Sequence, residues 1–270
     1  MKMHGVVQKQ LKKVEKQEKK YLKTKKKTLL QQKTEDMTNR IEQKIPQKLK
    51  VMLEEAFYKG FLIVFEKGTA VIEKTYDKEK LIWQHQFQDR RFQQKGKTKQ
   101  FRQLEAEAKK ANAVNMAVTA AEGAALGFLG IGLPDIPIFL GVILKGIYQT
   151  ALHFGFEYST KKEQIYILRL IRSAMAEQEQ KKQCNELIEK TEKEINDNMA
   201  VPYDFEQEVK KTAQTLAQAM LVAKFIQGLP VVGVTGCGYN VFVYRKILKY
   251  CHRKYKKRYL LIKQMENKVK

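Results

Sequence analysis

A chain of 270 residues, 43% hydrophobic and 30% charged, is long enough to bury a core and too apolar to stay disordered. Five prolines and fifteen glycines are too few for a β fold built on frequent turns. The only serines, Ser159 and Ser173, sit in no nucleophile elbow, and Cys184, Cys237 and Cys251 lack zinc or disulfide spacing, which points to free thiols in a reducing compartment. The formal charge of +23 is concentrated at the ends: residues 1–50 carry a net +11 and residues 244–270 a net +10, leaving the body almost neutral. Two basic ends framing a neutral body predict a polyanionic partner surface, anionic lipid or nucleic acid.

In chain order, the first methionine is followed by lysines, not by an apolar run, which predicts no secretory signal. Val7, Leu11 and Val14 fit one helical stripe, but Lys25, Lys26 and Lys27 have little to bury, so residues 1–44 read as a basic helix or arm, only partly docked. Pro46 opens an amphipathic helix whose stripe runs through Leu53, Phe57, Phe61, Phe65 and Val71/Ile72 to Tyr76. Gly60 and Gly68 lie on that stripe and predict close helix crossings. Residues 77–112 are polar and basic, with Trp83, Phe87, Phe92 and Phe101 as anchors and Gly96 as a connector. Basic residues among aromatics also suit nucleic-acid stacking, although this spacing favours packing.

From Ala113 to Phe156 the only charges are Glu122, Asp135 and Lys145. Gly132, Pro134, Asp135 and Pro137 form an elbow between two apolar helices of about 20 residues. The first helix contains Gly123 and Gly127 at the spacing that permits close helix pairing. A tight turn at 133–134 sets Glu122 opposite Lys145, predicting an ion pair that registers the hairpin. A catalytic carboxylate, Glu122 or Asp135, is the weaker reading, and Asp135 between prolines suits a helix cap. Thr160 and Glu163 form a capping box before Ile165, Leu168 and Ile171. Residues 177–198 read as a solvent-facing helix or connector. Pro202 and Asp204 start a helix that Gly228 stops. A second elbow holds Gly228, Pro230, Gly233, Gly236 and Asn240, sharing Gly-Leu-Pro with the first. In the last helix Val241, Leu248, Cys251 and Tyr255 oppose Arg245, Lys249, Arg253 and Lys256, and residues 261–270 read as a basic tail.

Neither glycine-rich element continues as a Walker loop or a dinucleotide fingerprint, and His4, His85, His153 and His252 show no metal-ligand spacing. No cofactor and no metal is expected.

The string Val118-Thr119-Ala120-Ala121-Glu122-Gly123, the elbow Gly-Ile-Gly-Leu-Pro-Asp-Ile-Pro, and Leu144-Lys145-Gly146-Ile147-Tyr148 together resemble the bacterial EcsC family. The segment from Ala151 to Tyr158 and the second elbow are similar to further elements of that family, although Cys237 departs from its pattern. The resemblance covers about residues 45–260 and implies a predominantly helical bacterial protein. Family members take their name from a gene neighbour of an ABC exporter's subunits, which implies a link to export or the envelope, with no agreed catalytic residues.

The expected architecture is all-α, a multi-helix bundle with two apolar hairpins joined at Gly/Pro elbows. The expected role is membrane-surface association at the cytosolic face, with Lys25, Lys26, Lys27, Arg245, Lys249, Arg253, Lys256 and Lys257 holding anionic lipids and ABC transporter subunits as possible partners. An enzyme acting on a lipid between the hairpins and a nucleic-acid binder are the rivals.

Overall fold

The computed structural model describes residues 2–23, 43, 45–107, 136–197, 199, 204–227 and 237–269. Among them every regular element is helical and no strand occurs. Glu122, Asp135, Gly132 and Pro134, the arm lysines Lys25–Lys27, and Gly228, Pro230, Gly233 and Gly236 lie outside the described residues.

Helix α1 (Lys2–Leu22) buries Val7, Leu11 and Val14, so the periodic stripe is docked along its length. Helix α2 (Gln47–Ile63) follows Pro46 and buries Leu53, Phe57, Gly60 and Phe61. A π-helical turn, Val64–Gly68, separates it from α3 (Thr69–Glu73), and the Thr69 hydroxyl donates to the Val64 carbonyl at 3.2 Å. Such a turn adds a residue to the helical repeat and rotates the face that follows. Ile72 therefore points inward while Val71 is 63% exposed, where a regular repeat would bury both. Gly68 marks no crossing, since a Cβ there would meet only Val64. Gly60 does: a Cβ would lie 3.1 Å from both Ile136 and Leu140.

Helix α4 (Lys78–Lys95) starts on Asp77, whose carboxylate accepts from the Lys80 amide at 2.8 Å, and ends on Gly96 at φ 57°. Residues 98–107 form α5. Phe92 and Phe101 are core anchors, but Trp83 is 62% exposed and stacks on Phe87 at the surface. Positions 85, 89 and 92 take the inner face of α4, leaving 83 and 87 outside.

Helix α6 (Ile136–His153) is the core helix, burying Leu140, Ile143, Leu144, Ile147, Tyr148 and Ala151 against α2, α4 and the C-terminal helix. It is apolar and long enough to span a bilayer, yet 67% of that stretch is buried inside the bundle. Gly155, at φ 82°, turns the chain out of α6, and a Cβ there would sit 2.3 Å from His85 Nε2. His85 is fixed by its Nδ1, 2.9 Å from the His153 carbonyl, so nothing larger than glycine fits.

Helix α7 (Lys161–Met175) starts on Thr160, whose hydroxyl accepts from the Glu163 amide at 3.2 Å. Only half of the capping box forms, because the Glu163 carboxylate turns inward to Arg258 and Tyr255. Thr160→Ala should cost about 1 kcal/mol in a denaturant titration, the usual worth of a hydroxyl N-cap. An unchanged midpoint would mean that the Glu163–Arg258 pair alone sets the start of α7.

Helix α8 (Lys181–Asn196) is no connector: it buries Asn185, Ile188, Thr191 and Glu192. Helix α9 (Phe205–Gln227) packs on α2 and α7, and the Asp204 carboxylate accepts from the Gln207 amide at 2.9 Å. Helix α10 (Cys237–Val269) spans 33 residues, about 50 Å, and packs against α1, α6 and α7. Residues 261–269 continue this helix with Lys263 buried, so no separate tail begins at 261.

Candidate anionic-surface interface

The positive charge of α10 divides into an inner and an outer set. Lys254, 0% exposed, donates to Glu18 of α1 and, at 2.5 Å, to Asn185 of α8. Lys257 bridges Glu18 and Glu189 at 2.5 and 2.6 Å. Arg258 grips Glu163 through both carboxylate oxygens at 2.9 and 2.8 Å, Lys256 pairs with Glu105 at 3.0 Å, and Lys263 with Asp89 at 2.9 Å. Buried cations need such partners, because desolvating an unpaired charge is costly. Burial tends to raise the Glu18 pKa, yet Lys254 and Lys257 together hold it below the usual carboxylate range. Lys256 and Lys257, expected among the lipid-facing cations, are thus engaged with carboxylates of the bundle.

The outer set lies elsewhere. On α1 the stripe that buries Val7, Gln10, Leu11, Val14 and Glu18 leaves Lys9, Lys12, Lys13, Lys16, Lys19, Lys20 and Lys23 exposed, with Glu15 as the acidic residue among them. On α10, Arg245 and Lys249 are exposed. The Tyr21 ring lies 5.2 Å from the Tyr250 ring, tilted against it, while Glu18 meets residues 254 and 257, so α1 runs antiparallel to α10. Its C-terminal lysines therefore approach the level of Lys249.

The start of α10 coincides with the start of α6. Gly146 lies against Tyr244 and Leu248, and Phe154 against His252 at 5.2 Å, so the two helices run parallel. Each follows a Gly/Pro elbow in the sequence, with Pro137 in the first turn of α6 and Asn240 in the first turn of α10. Both starts lie at one end of the bundle, and there Ile138 and Phe242 are each 54% exposed. Lys249 follows Phe242 by about two turns, roughly 10 Å along α10. Apolar tips above a girdle of cations suit a surface with an apolar interior and anionic headgroups. Sequence reasoning missed Lys19, Lys20, Lys23, Ile138 and Phe242; the α1 spacing alone marked its lysines as one outward face.

Lys145 is half-buried and donates to the Thr75 carbonyl at 3.4 Å, while its expected partner Glu122 lies outside the described residues. Among the described residues no group of three or more His, Cys, Asp or Glu could hold a metal ion.

A helical bundle that pairs most inner cations of its long C-terminal helix with carboxylates, and brings the exposed Lys19, Lys20 and Lys23 to the level of Lys249, defines a structural class. The chain belongs to the EcsC protein family, whose sequence pattern matches residues 8–260. No curated protein and no solved structure gives a significant match.

Proposed function

We propose that this protein docks end-on at the cytosolic face of the bacterial cell membrane, as an accessory factor to an ABC exporter or another envelope process. The observation that carries the docking is the convergence of exposed Ile138 and Phe242 with the cations of α1 and α10 at one end of the bundle. Lys23 and Lys249 would meet anionic headgroups while Ile138 and Phe242 enter the headgroup–acyl boundary. Family membership supports the exporter link.

Co-sedimentation with phosphatidylglycerol vesicles should be strong at low salt and weaken as salt rises, with little binding to phosphatidylcholine. Each basic residue near such a surface is worth about 1 kcal/mol, so the double change Lys23→Gln/Lys249→Gln should weaken binding roughly thirtyfold. Phe242→Asp should weaken it at every salt concentration. Equal, salt-independent binding to both vesicle types removes the electrostatic part of this reading. Capture of DNA or RNA without vesicle binding would favour a nucleic-acid partner.

A further inference from the structure

Where most inner cations of the bundle meet a carboxylate, one group around Tyr21 does not. The Arg253 guanidinium lies 5.0 Å from the centre of the Tyr21 ring, and Lys181 Nζ lies 4.6 Å from the same ring. The Tyr250 ring lies beside it at 5.2 Å, tilted by 44°. Lys246 precedes Arg253 by about two turns and therefore shares its face of α10. Arg253 Nη1 is buried and has no hydrogen-bond acceptor, and the buried Tyr250 hydroxyl likewise has no partner. The Tyr250 hydroxyl is close enough to feel the Arg253 charge.

Among the described residues the acids nearby do not balance this group. Glu18 is committed to Lys254 and Lys257, and Glu179 acts on Lys181, which also donates to Gln178 at 2.7 Å. Cys184 is a further titratable neighbour of Tyr21. Burial pushes the Lys181 pKa down, and it pushes Lys246 down with Lys181 adding to the effect by repulsion. Two orphaned donors amid surplus cations call for one ligand with several acceptor oxygens and more than one negative charge.

We propose that Arg253, Lys246, Lys181 and the Tyr250 hydroxyl form a binding site for a phosphate group, with the Tyr21 ring as its floor. Burial holds the Tyr21 hydroxyl neutral, at a pKa of about 12, so the floor adds no competing charge. The guanidinium would take two phosphate oxygens, the hydroxyl a third, and the two ammonium groups would balance the second charge. The phosphate can be free in solution or can be the headgroup of a phosphomonoester lipid. This goes beyond membrane docking, because it assigns a site selective for a phosphomonoester group and not a general affinity for anionic surface.

The experiment uses the full chain and its Arg253→Gln and Lys246→Gln variants. Thermal melts and phosphorus NMR line widths are recorded with inorganic phosphate and with chloride at equal ionic strength. Phosphate should raise the wild-type melting temperature above the chloride value, and each variant should weaken phosphate binding at least tenfold. Without phosphate the variants should melt at or above the wild-type temperature, because a repulsive charge is gone, whereas a merely structural arginine would lower it. If phosphate in solution has no effect, phosphatidylcholine vesicles doped with phosphatidic acid supply the lipid arm. Arg253→Gln should then abolish the preference for phosphatidic acid over phosphatidylglycerol, while Lys23→Gln/Lys249→Gln weakens both alike. Identical behaviour in phosphate and chloride, together with no effect of Arg253→Gln on vesicle preference, overturns the proposal and leaves the docking reading standing.

Discussion

Glu18→Leu should cost about 3–5 kcal/mol of unfolding free energy, the range for removing one partner of a buried ion pair. The loss falls on Lys254, which is fully enclosed and keeps Asn185 as its hydrogen-bond partner, whereas Lys257 retains the Glu189 carboxylate. Lys254→Met should cost less, since Glu18 still holds Lys257. The double change should recover much of the Glu18→Leu loss, because no orphaned ammonium remains, and the cycle isolates the coupling. Strictly additive effects in denaturant titrations would show that the two side chains do not depend on each other. The pair also sets a direction with pH. Glu18 has its pKa lowered by folding, so its contribution is present above the unfolded carboxylate range and is lost as acid protonates it.

Glu192 acts in the opposite sense. It is buried in α8 with one carboxylate oxygen unpartnered, and burial raises its pKa to about 7 against the pull of Lys254, Arg258 and Lys257, with Glu18 adding to the rise. A carboxyl whose folded pKa lies above its unfolded value favours the folded state below about pH 4.5, and that contribution disappears as pH climbs to about 7. A carboxyl raised from 4.5 to about 7 corresponds to roughly 3 kcal/mol. Glu192→Gln, which keeps the shape and removes the charge, should therefore stabilise the protein by up to about 3 kcal/mol at pH 8 and change little at pH 4.5. Equal effects at the two pH values would rule out titration of Glu192 as the cause.

The helices themselves were legible. Pro46, the Thr160 hydroxyl and Asp204 stand where the sequence placed helix starts, and Gly60 marks a true crossing. These signals are local, set by backbone sterics and by donors within one turn. The fate of the C-terminal charge was not legible. Lys254, Lys256, Arg258 and Lys263 look like a solvated tail because their counter-charges, Glu18, Glu105, Glu163 and Asp89, come from distant parts of the chain. The outward turn of Val71 was hidden for another reason: one π-helical turn shifts the register, and no residue type announces it. At the candidate interface the lysine face of α1 could be read from its spacing. The placing of Ile138 and Phe242 near one end of the bundle could not, because it rests on two helices lying parallel.

The order in which the chain is made gives α10 a further consequence. Glu18 reaches the ribosome exit 236 positions ahead of Lys254, and Asp89 and Glu163 also precede the cations that neutralise them. Until the final helix emerges, these carboxylates have no counter-ion from α10, and the surfaces of α1, α6 and α7 that it covers stay wet. Core closure therefore waits for the α10 segment, and the nascent chain before it is the stage at which a chaperone has most to hold. A stop codon shortly before Lys254 would strand acids on five helices, leaving the truncated product to proteolysis.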